Sequence, residues 1–545
     1  MQQKIPDALL QNNTRTESRS IGYLIIAGVV AILLATVLLG TKSTFADAIH
    51  YTITYDSGVV ENMPTDQDSK TFSETVPISA TTPTRTGFNF LGWCSQVPTS
   101  SGGANLDICG GGTYIPNSDW TINQTSTTNN LHLYAMWGEP TLYDNVASMS
   151  KGKNISDNGF SWTSITQGTS GVYEWGGKDG TGAGTDSNGG SNPIYFYRGI
   201  LDTTVTTYGS DGLADAYPNY VVLSTASDKT GLANTDTCWR IVRTTSTKGV
   251  KMIYNGTWTG STCANATTTA QTMYNGSSLT VPFNTSSSTK AGKTYYGLQY
   301  QNIQAVGYTY SNVAAGTTDT KTPAELFGTS GNDTTTNTNS SIMKQYIEDW
   351  YANTLTAYTG KLEGDAGYCQ DRRLNTGTTW TEPLAEDSNT IVPYGTSGLT
   401  VYYFGAYPRN AGSSTFNPLL TCPRGKVDLY SYSGNAGNGN GQLTYPVALL
   451  TTDEVTLAGS GWGSSTGAYN ANSYLRSGSY FWLLSPSYRG SDGYARGFYL
   501  FSNGDLSRTY VSDSLGARPA ISLTSGTTAT SGAGIATDPW IVNPQ

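Results

Sequence analysis

The chain has 545 residues, of which 13% are charged and 63 are glycine, and its formal net charge is −9. Average domains carry about 25% charged residues and about 7% glycine, so this composition is typical of an exported β-rich protein and argues against a cytosolic helical enzyme. The length corresponds to three or four domains of roughly 150 residues each. The 30 Lys and Arg residues form no basic run, which argues against a nucleic-acid partner.

The chain contains only two histidines, His50 and His132. Serine and cysteine nucleophiles of the triad type need an imidazole as proton acceptor, and catalytic zinc sites usually need histidine ligands. No residue after His132 can supply either function. We interpret His132 as an outward-pointing strand residue and His50 as part of a linker.

A hydrophobic segment lies close to the N-terminus and predicts export. Ile21–Gly40 contains no charged residue, and twenty helical residues span about 30 Å, which is one hydrocarbon thickness. We therefore divide this part into a cytoplasmic or signal-type tail (1–20) and a signal peptide or membrane anchor (21–46). Two alternatives stay open: an anchor retained at 21–40, or secretion after cleavage near Ala46. In both cases the remainder lies on the extracellular side of a bacterial membrane.

The cysteine pattern agrees with export. The six cysteines are Cys94, Cys109, Cys238, Cys263, Cys369 and Cys422. No CxxC motif occurs, which argues against zinc-ribbon and thioredoxin-type sites, and an even number in an exported chain favours three disulfides. Six cysteines allow fifteen connectivities. We hypothesise nearest-neighbour pairing, with all six thiols structural.

Residues 49–137 have the pattern of a small β domain. Tyr51–Tyr55 (YTITY) alternates apolar and polar residues, and Pro83–Trp93 (PTRTGFNFLGW) predicts a turn followed by a strand. In the closing segment Leu131–Trp137 (LHLYAMW), alternate residues share one apolar face. This motif set resembles the internalin-B-type repeat, also called the Listeria–Bacteroides repeat, over 51–137. The resemblance implies a β-grasp-like module of bacterial surface proteins and no catalytic residue.

The remainder, 138–545, is predicted to be one β-rich domain with a few helices. Cys238–Arg243 and Val250–Tyr254 predict a hairpin, and a helix is expected from Ile342 to Trp350. A second, short helix is expected at Thr452–Ala458, ending at Gly459.

A Gly- and Asp-rich stretch invites a weak calcium hypothesis at Asp179 and Asp186. The stretch lacks the ligand spacing of an EF-hand, and we interpret it as a solvated loop. No cofactor is predicted.

The last hundred residues carry the most specific pattern of this region. Tyr480–Pro486 (YFWLLSP) predicts a strand, 497–505 a hairpin through an Asn-Gly turn, and Gly516–Leu523 (GARPAISL) a closing strand in which Arg518 makes a buried or stacked contact. These blocks resemble an uncharacterised bacterial surface domain related to the C-type-lectin-like/formylglycine-generating-enzyme fold. The oxidases of that superfamily use a cysteine pair near the C-terminus. No cysteine follows Cys422 here, so their activity does not carry over.

Carboxylate pairs leave glycoside hydrolysis as the remaining enzymatic alternative, because that reaction needs only two carboxylates. The candidates are Glu348/Asp349, Glu363/Asp365, Glu386/Asp387 and Asp453/Glu454. Neighbouring helical residues point about 100° apart, so they are poorly placed to flank one bond.

We therefore expect a mainly β, non-catalytic cell-surface protein in adhesion or in recognition of a carbohydrate or protein ligand. The loop residues Tyr488, Asp492 and Tyr494 are the candidate ligand face, since tyrosine rings offer contact area at little entropic cost. The alternatives are a structural envelope protein without a discrete ligand and, third, a carboxylate glycosidase.

Overall fold

The structure is a computed structural model of the chain. The described residues are 50–56, 66–71, 75–79, 81, 83, 85, 88–100, 107–109, 114–116, 121–123, 131–150, 171–175, 178–179, 190, 192–199, 217–263, 280–290, 292–301, 303–310, 339–372, 374–375, 402–411, 418–423, 428–433, 443–462, 473–477, 479–490, 492–502 and 504–544. The predicted signal or anchor at 21–46 lies outside them. Within these residues, no helix has the length and apolar character needed to cross a membrane.

The chain divides into two compact units, one ending at Glu139 and one beginning at Pro140. The strands of the first unit are β1 (His50–Asp56), β2 (Gln67–Thr71), β3 (Thr75–Pro77), β4 (Asn89–Cys94), β5 (Thr99–Ser100), β6 (Asp107–Ile108), β7 (Tyr114–Pro116), β8 (Thr121–Asn123) and β9 (Leu131–Gly138). Five of them form a sheet in the order β2-β1-β9-β4-β7, in which β1 and β9 run parallel. The interpretation of His50 as a linker residue is wrong, because it begins β1.

Aromatic residues form the core of the first unit. The Phe90 ring lies 5.0 Å from that of Trp93 and 5.8 Å from that of Trp137, and all three side chains are buried. Along β9, Leu133 is buried while His132 is exposed. The predicted alternation of this strand is confirmed, because successive side chains of a strand point to opposite faces.

The second unit contains the remaining strands. They are β10 (Gly171–Trp175), β11 (Ile194–Arg198), β12 (Tyr220–Leu223), β13 (Thr237–Thr244), β14 (Val250–Thr257), β15 (Thr280–Pro282), β16 (Ser287–Lys290), β17 (Lys293–Tyr296), β18 (Thr309–Tyr310), β19 (Asn339–Ser340), β20 (Tyr368–Cys369), β21 (Leu374–Asn375), β22 (Tyr402–Phe404), β23 (Leu429–Tyr430), β24 (Gly461–Trp462), β25 (Phe481–Arg489), β26 (Ala495–Leu500), β27 (Asp505–Tyr510), β28 (Ser514–Gly516), β29 (Ala520–Leu523) and β30 (Trp540–Val542). The predicted hairpins β13–β14 and β26–β27 are both confirmed as antiparallel pairs.

Four α-helices accompany these strands in the described part of the second unit. They are α1 (Leu142–Ser148), α2 (Ile342–Thr354), α3 (Ala406–Asn410) and α4 (Thr452–Leu457). Both predicted helices, α2 and α4, are confirmed. The start of α4 is set by a capping box, in which the Thr451 side chain accepts from the Glu454 amide and the Glu454 side chain accepts from the Thr451 amide. After α4, Gly459 has a φ of 109°, a conformation that glycine adopts without steric cost.

Two larger sheets organise this unit. The first follows the order β10-β11-β13-β12-β30, with β14 joining β13 to β29. The second follows the order β15-β28-β25-β26-β27-β24, with β22 added beside β25. Side chains from both sheets and from α2 belong to one hydrophobic core, in which Trp239, Trp482 and Tyr351 are fully buried. The prediction of a mainly β fold with a few helices is confirmed.

Arg518 makes the buried structural contact that its position suggested. Its guanidinium donates to the carbonyl oxygens of Tyr254 and Leu475, both at 2.9 Å, and lies 4.8 Å from the centre of the Phe481 ring. Burial lowers its pKa to about 9. Arg518 therefore ties β14 to the start of β25.

The structure contains three disulfides, Cys94–Cys109, Cys238–Cys263 and Cys369–Cys422. This connectivity is the nearest-neighbour pairing, and the first bridge lies within the first unit whereas the other two lie within the second. We expect non-reducing peptide mapping of the full chain to yield three linked peptide pairs that combine after reduction into six free peptides. A peptide linking Cys109 to Cys238 would contradict this connectivity.

Candidate functional site

A row of tyrosine and arginine side chains crosses one face of the second large sheet. In the register of the strands, Tyr403 of β22 faces Tyr488 of β25, Tyr488 faces Arg496 of β26, and Arg496 faces Tyr510 of β27. Cross-strand partners lie on the same face of a sheet, and neighbouring strands are about 4.8 Å apart. The row therefore spans four strands and about 14 Å.

Arginine and tyrosine alternate in direct contact along this row. The Arg496 guanidinium lies 4.7 Å from the ring centre of Tyr488 and 4.3 Å from that of Tyr510. The Arg508 guanidinium lies 3.9 Å from the Tyr488 ring, 4.8 Å from the Tyr407 ring and 5.1 Å from the Trp462 ring. A cation above an aromatic ring is attracted by the negative ring face, so these contacts hold both guanidinium groups in place.

Helix α3 completes the row by placing Tyr407 over it. The Tyr407 ring lies 4.4 Å from that of Tyr403 and 6.0 Å from that of Phe498. Tyr407 is buried, and burial raises its pKa. We call the set Tyr403, Tyr407, Tyr488, Arg496, Arg508 and Tyr510 the tyrosine–arginine face. Apart from Tyr407, its members are half-buried, so their outer edges remain open to solvent.

The three predicted ligand residues meet at one end of this face, around Arg496. Its Nη1 donates to Asp492 Oδ1 at 3.0 Å and to the Tyr494 carbonyl oxygen at 3.2 Å. The Tyr510 hydroxyl donates to the second Asp492 oxygen at 3.1 Å. The hydrogen bond from Arg496 is the main cause that lowers the pKa of Asp492 to about 2. Asp492 therefore forms an ion pair with Arg496 and so ties the loop between β25 and β26 to strand β26.

Most members of the face were missed in the sequence, although part of the signal was present. Arg496 and Phe498 on β26, like Arg508 and Tyr510 on β27, stand two residues apart on adjacent strands of one hairpin, which is the spacing that puts side chains on one face. Tyr403 and Tyr407 come from a distant part of the chain. No local pattern links them to the hairpin.

Glu363 is the most unusual carboxyl group among the predicted catalytic candidates. It is buried, its Oε1 accepts hydrogen bonds from the hydroxyls of Thr245 and Thr247, and its Oε2 has no hydrogen-bond partner within the described residues. Burial raises its pKa to about 8. The close approach requires glycine at position 249, where a Cβ atom would lie 2.5 Å from Glu363 Oε2. Its predicted partner Asp365 is half-exposed.

The carboxylates of α4 are both paired with buried cations. Asp453 accepts two hydrogen bonds from Arg409, at 3.0 and 2.9 Å. Glu454 Oε1 accepts from Arg243 at 2.9 Å and from Lys251 at 2.8 Å. Burial alone would raise the pKa of Glu454, but Lys251 and Arg243 outweigh it and the net pKa is lowered. These two side chains point to different partners, as expected for neighbouring helical residues.

The Glu348/Asp349 pair is separated in the same way. Glu348 accepts from Lys344 at 2.6 Å, whereas Asp349 accepts from the Tyr295 hydroxyl at 2.9 Å and from Lys293. Glu386 and Asp387 lie outside the described residues. In both described helical pairs each carboxylate has its own cationic partner, so neither pair is arranged as two free carboxylates facing one space.

A small cleft of about 310 Å³, including its open mouth, lies beside the start of α4. Its charged lining consists of Arg243, Asp371, Arg409, Asp453 and Glu454. Arg409 pairs with both Asp371 and Asp453, and Arg243 pairs with Glu454. The charges around this cleft are thus engaged with one another.

The interpretation of Asp179 as a solvated loop residue is wrong. Asp179 is buried, pairs with Arg243, and accepts from the Ser246 hydroxyl at 2.7 Å. Asp186, the other residue of the calcium hypothesis, lies outside the described residues. Within the part of the chain that the structure describes, no three His, Cys, Asp or Glu side chains are grouped as metal ligands.

A comparison of the chain with protein-family models, curated proteins and solved structures finds no match in any of the three.

Proposed function

We propose that this chain is an exported bacterial surface protein that binds a ligand through the tyrosine–arginine face and acts in adhesion or recognition without catalysis. The observation that carries the proposal is the row itself, in which half-buried tyrosine rings and two arginines occupy one 14 Å strip across four strands. Tyr and Arg are enriched at binding surfaces because they combine apolar area with hydrogen-bonding groups.

Two further features support export and recognition. The hydrophobic segment 21–40 and three disulfides fit a protein outside the cytoplasm, since disulfides persist in oxidising compartments. The resemblance of the second unit to C-type-lectin-like domains and of 51–137 to the internalin-B-type repeat favours a surface role. In this proposal the first unit is a stalk module, and the second unit presents the ligand face.

The proposal predicts that Tyr488 of the face and Tyr494 at its end are needed for binding. The full chain, purified in detergent under oxidising conditions, would be screened against glycans and whole cells. We expect Tyr488→Ala and Tyr494→Ala to weaken binding roughly three- to tenfold each, because each removes a ring contact worth about 0.5–1.5 kcal/mol.

The matched control is Tyr432→Ala. Tyr432 is an exposed tyrosine that is not part of the face: its backbone amide donates to the Gly364 carbonyl oxygen, and its side chain is 37% exposed. We expect this variant to bind like the unaltered protein. Melting temperatures would show that all variants are folded. Binding that is unchanged in Tyr488→Ala and Tyr494→Ala would dismiss this face as the binding surface.

A further inference from the structure

The charge of the tyrosine–arginine face differs in sign from that of the chain. The protein carries a net charge of −9, whereas the face combines Arg496 and Arg508 with one carboxylate, Asp492. Asp505 and Asp513 do not change this balance: Asp505 stands on the opposite side of β27 from Arg508, and Asp513 accepts a hydrogen bond from Thr509, which also faces that opposite side. The face is therefore locally cationic on an acidic protein, which favours an anionic ligand.

The two arginines of the face are used differently. Arg496 donates to Asp492 and to the Tyr494 carbonyl oxygen. Arg508 is half-buried and is held by the rings of Tyr407, Tyr488 and Trp462. Its Nη1 is buried and has no hydrogen-bond partner within the described residues. Ring faces attract the guanidinium charge but do not replace directional acceptors, so the buried Nη1 lacks an acceptor among the described residues, and a ligand oxygen that reached it would supply one.

A carboxylate is the group that this arrangement suits best. Its two oxygens can accept parallel hydrogen bonds from one guanidinium, and three ring contacts already hold the Arg508 guanidinium in place. The half-buried tyrosines of the row, Tyr403, Tyr488 and Tyr510, leave outer ring edges open to solvent, and such amphipathic edges suit contact with a hydroxyl-rich pyranose ring lying along the row. We infer that the ligand of the tyrosine–arginine face is an acidic carbohydrate whose uronate-type carboxylate pairs with Arg508. This inference rests on the proposed function and adds the ligand class.

The test compares acidic sugars with their own neutral derivatives. Galacturonate, glucuronate, mannuronate and sialic acid oligosaccharides would each be titrated into the full chain alongside the corresponding methyl ester, which removes the charge and keeps the sugar. We expect at least one acid to bind at least roughly tenfold more tightly than its ester, because a charge-assisted hydrogen bond is lost. We also expect this binding to weaken as salt is raised.

Variants of Arg508 in the face and of Asp492 beside it should shift the affinity in opposite directions. Arg508→Gln should weaken binding of the acid roughly ten- to hundredfold, and Arg508→Lys should restore part of it, because lysine keeps the charge without the bidentate fork. Asp492→Asn should tighten binding a few-fold by removing the neighbouring negative charge. Arg85→Gln is the matched control, since Arg85 is an exposed arginine that stacks on Phe88 at 4.0 Å in the other unit.

The outcomes separate this inference from the proposed function. Equal binding of acid and ester that is lost in Tyr488→Ala overturns the inference and leaves the binding face in place. Preference for poly-glutamate over every acidic sugar overturns the carbohydrate assignment in favour of an acidic protein. Binding of acid that is unaffected by Arg508→Gln overturns the role of Arg508. If the folded protein binds neither these sugars nor any other glycan or cell, both the proposed binding function and the acidic-carbohydrate inference are wrong.

Discussion

At pH 9 the Glu363→Gln variant is expected to be more stable than the unaltered protein, by on the order of 3–5 kcal/mol, whereas at pH 4.5 the two should be nearly equal. The reason is the buried position of Glu363, which raises its pKa from the ordinary 4.5 to about 8. The native state therefore retains a proton that the unfolded chain releases. Glutamine mimics the protonated form at every pH.

The sign follows from proton linkage. Because the native pKa is above the unfolded one, the stabilising contribution of Glu363 is fully present below about pH 4.5. It is lost as the pH rises, and the loss is complete once the pH has passed through about 8. Lys251, whose pKa burial lowers to about 8, also titrates in this range, but its contribution is common to both proteins. The difference between variant and parent thus isolates Glu363.

The measurement is the free energy of unfolding from denaturant titrations between pH 4.5 and 9. Asp365→Asn serves as the control, because Asp365 is a half-exposed carboxyl two residues away. Parallel stability curves for Glu363→Gln and the parent across this range would contradict the assignment of Glu363 as a proton-retaining buried group.

Arg409→Met should destabilise the second unit by about 3–5 kcal/mol, because removing one partner of a buried ion pair leaves uncompensated charge. The Arg409 side chain is 2% exposed and pairs with Asp453 and with Asp371, whose side chains are 5% and 3% exposed. Arg409→Lys should recover only part of the stability, since lysine cannot make the bidentate contact.

Thermal and chemical unfolding of the full chain would measure this effect. Lys229→Met is the control, because Lys229 is exposed and surface substitutions usually change stability by less than about 0.5 kcal/mol. Arg409 and Tyr407 both belong to α3, so we also expect Arg409→Met to loosen Tyr407 over the tyrosine–arginine face. An Arg409→Met variant as stable as the control would contradict the stabilising role of the buried Arg409 ion pairs.

Local signals in the sequence predicted the elements on which the face is built. The β13–β14 and β26–β27 hairpins follow from strand-like runs separated by short turns, and the end of α4 follows from Gly459. The sequence also singled out Tyr488, Asp492 and Tyr494 as one loop, whereas the structure places Tyr488 on strand β25 and the other two between β25 and β26. What these residues do as a ligand face remains a proposal.

The sequence by itself determined a mainly β chain with six cysteines and short capped helices. These features depend on residues close together in the chain: the alternation of apolar and polar side chains, the helix-capping residues and the turn residues. Only the tertiary structure decided which charges are buried and which rings meet. Asp179 is 64 residues from its partner Arg243, and Arg409 is 44 residues from Asp453. Such pairs produce no local pattern in the sequence, since their partners become neighbours only when the chain packs into its tertiary structure. Tertiary packing also causes the burial that raises the pKa of Glu363 and the contact between Arg508 and Tyr407.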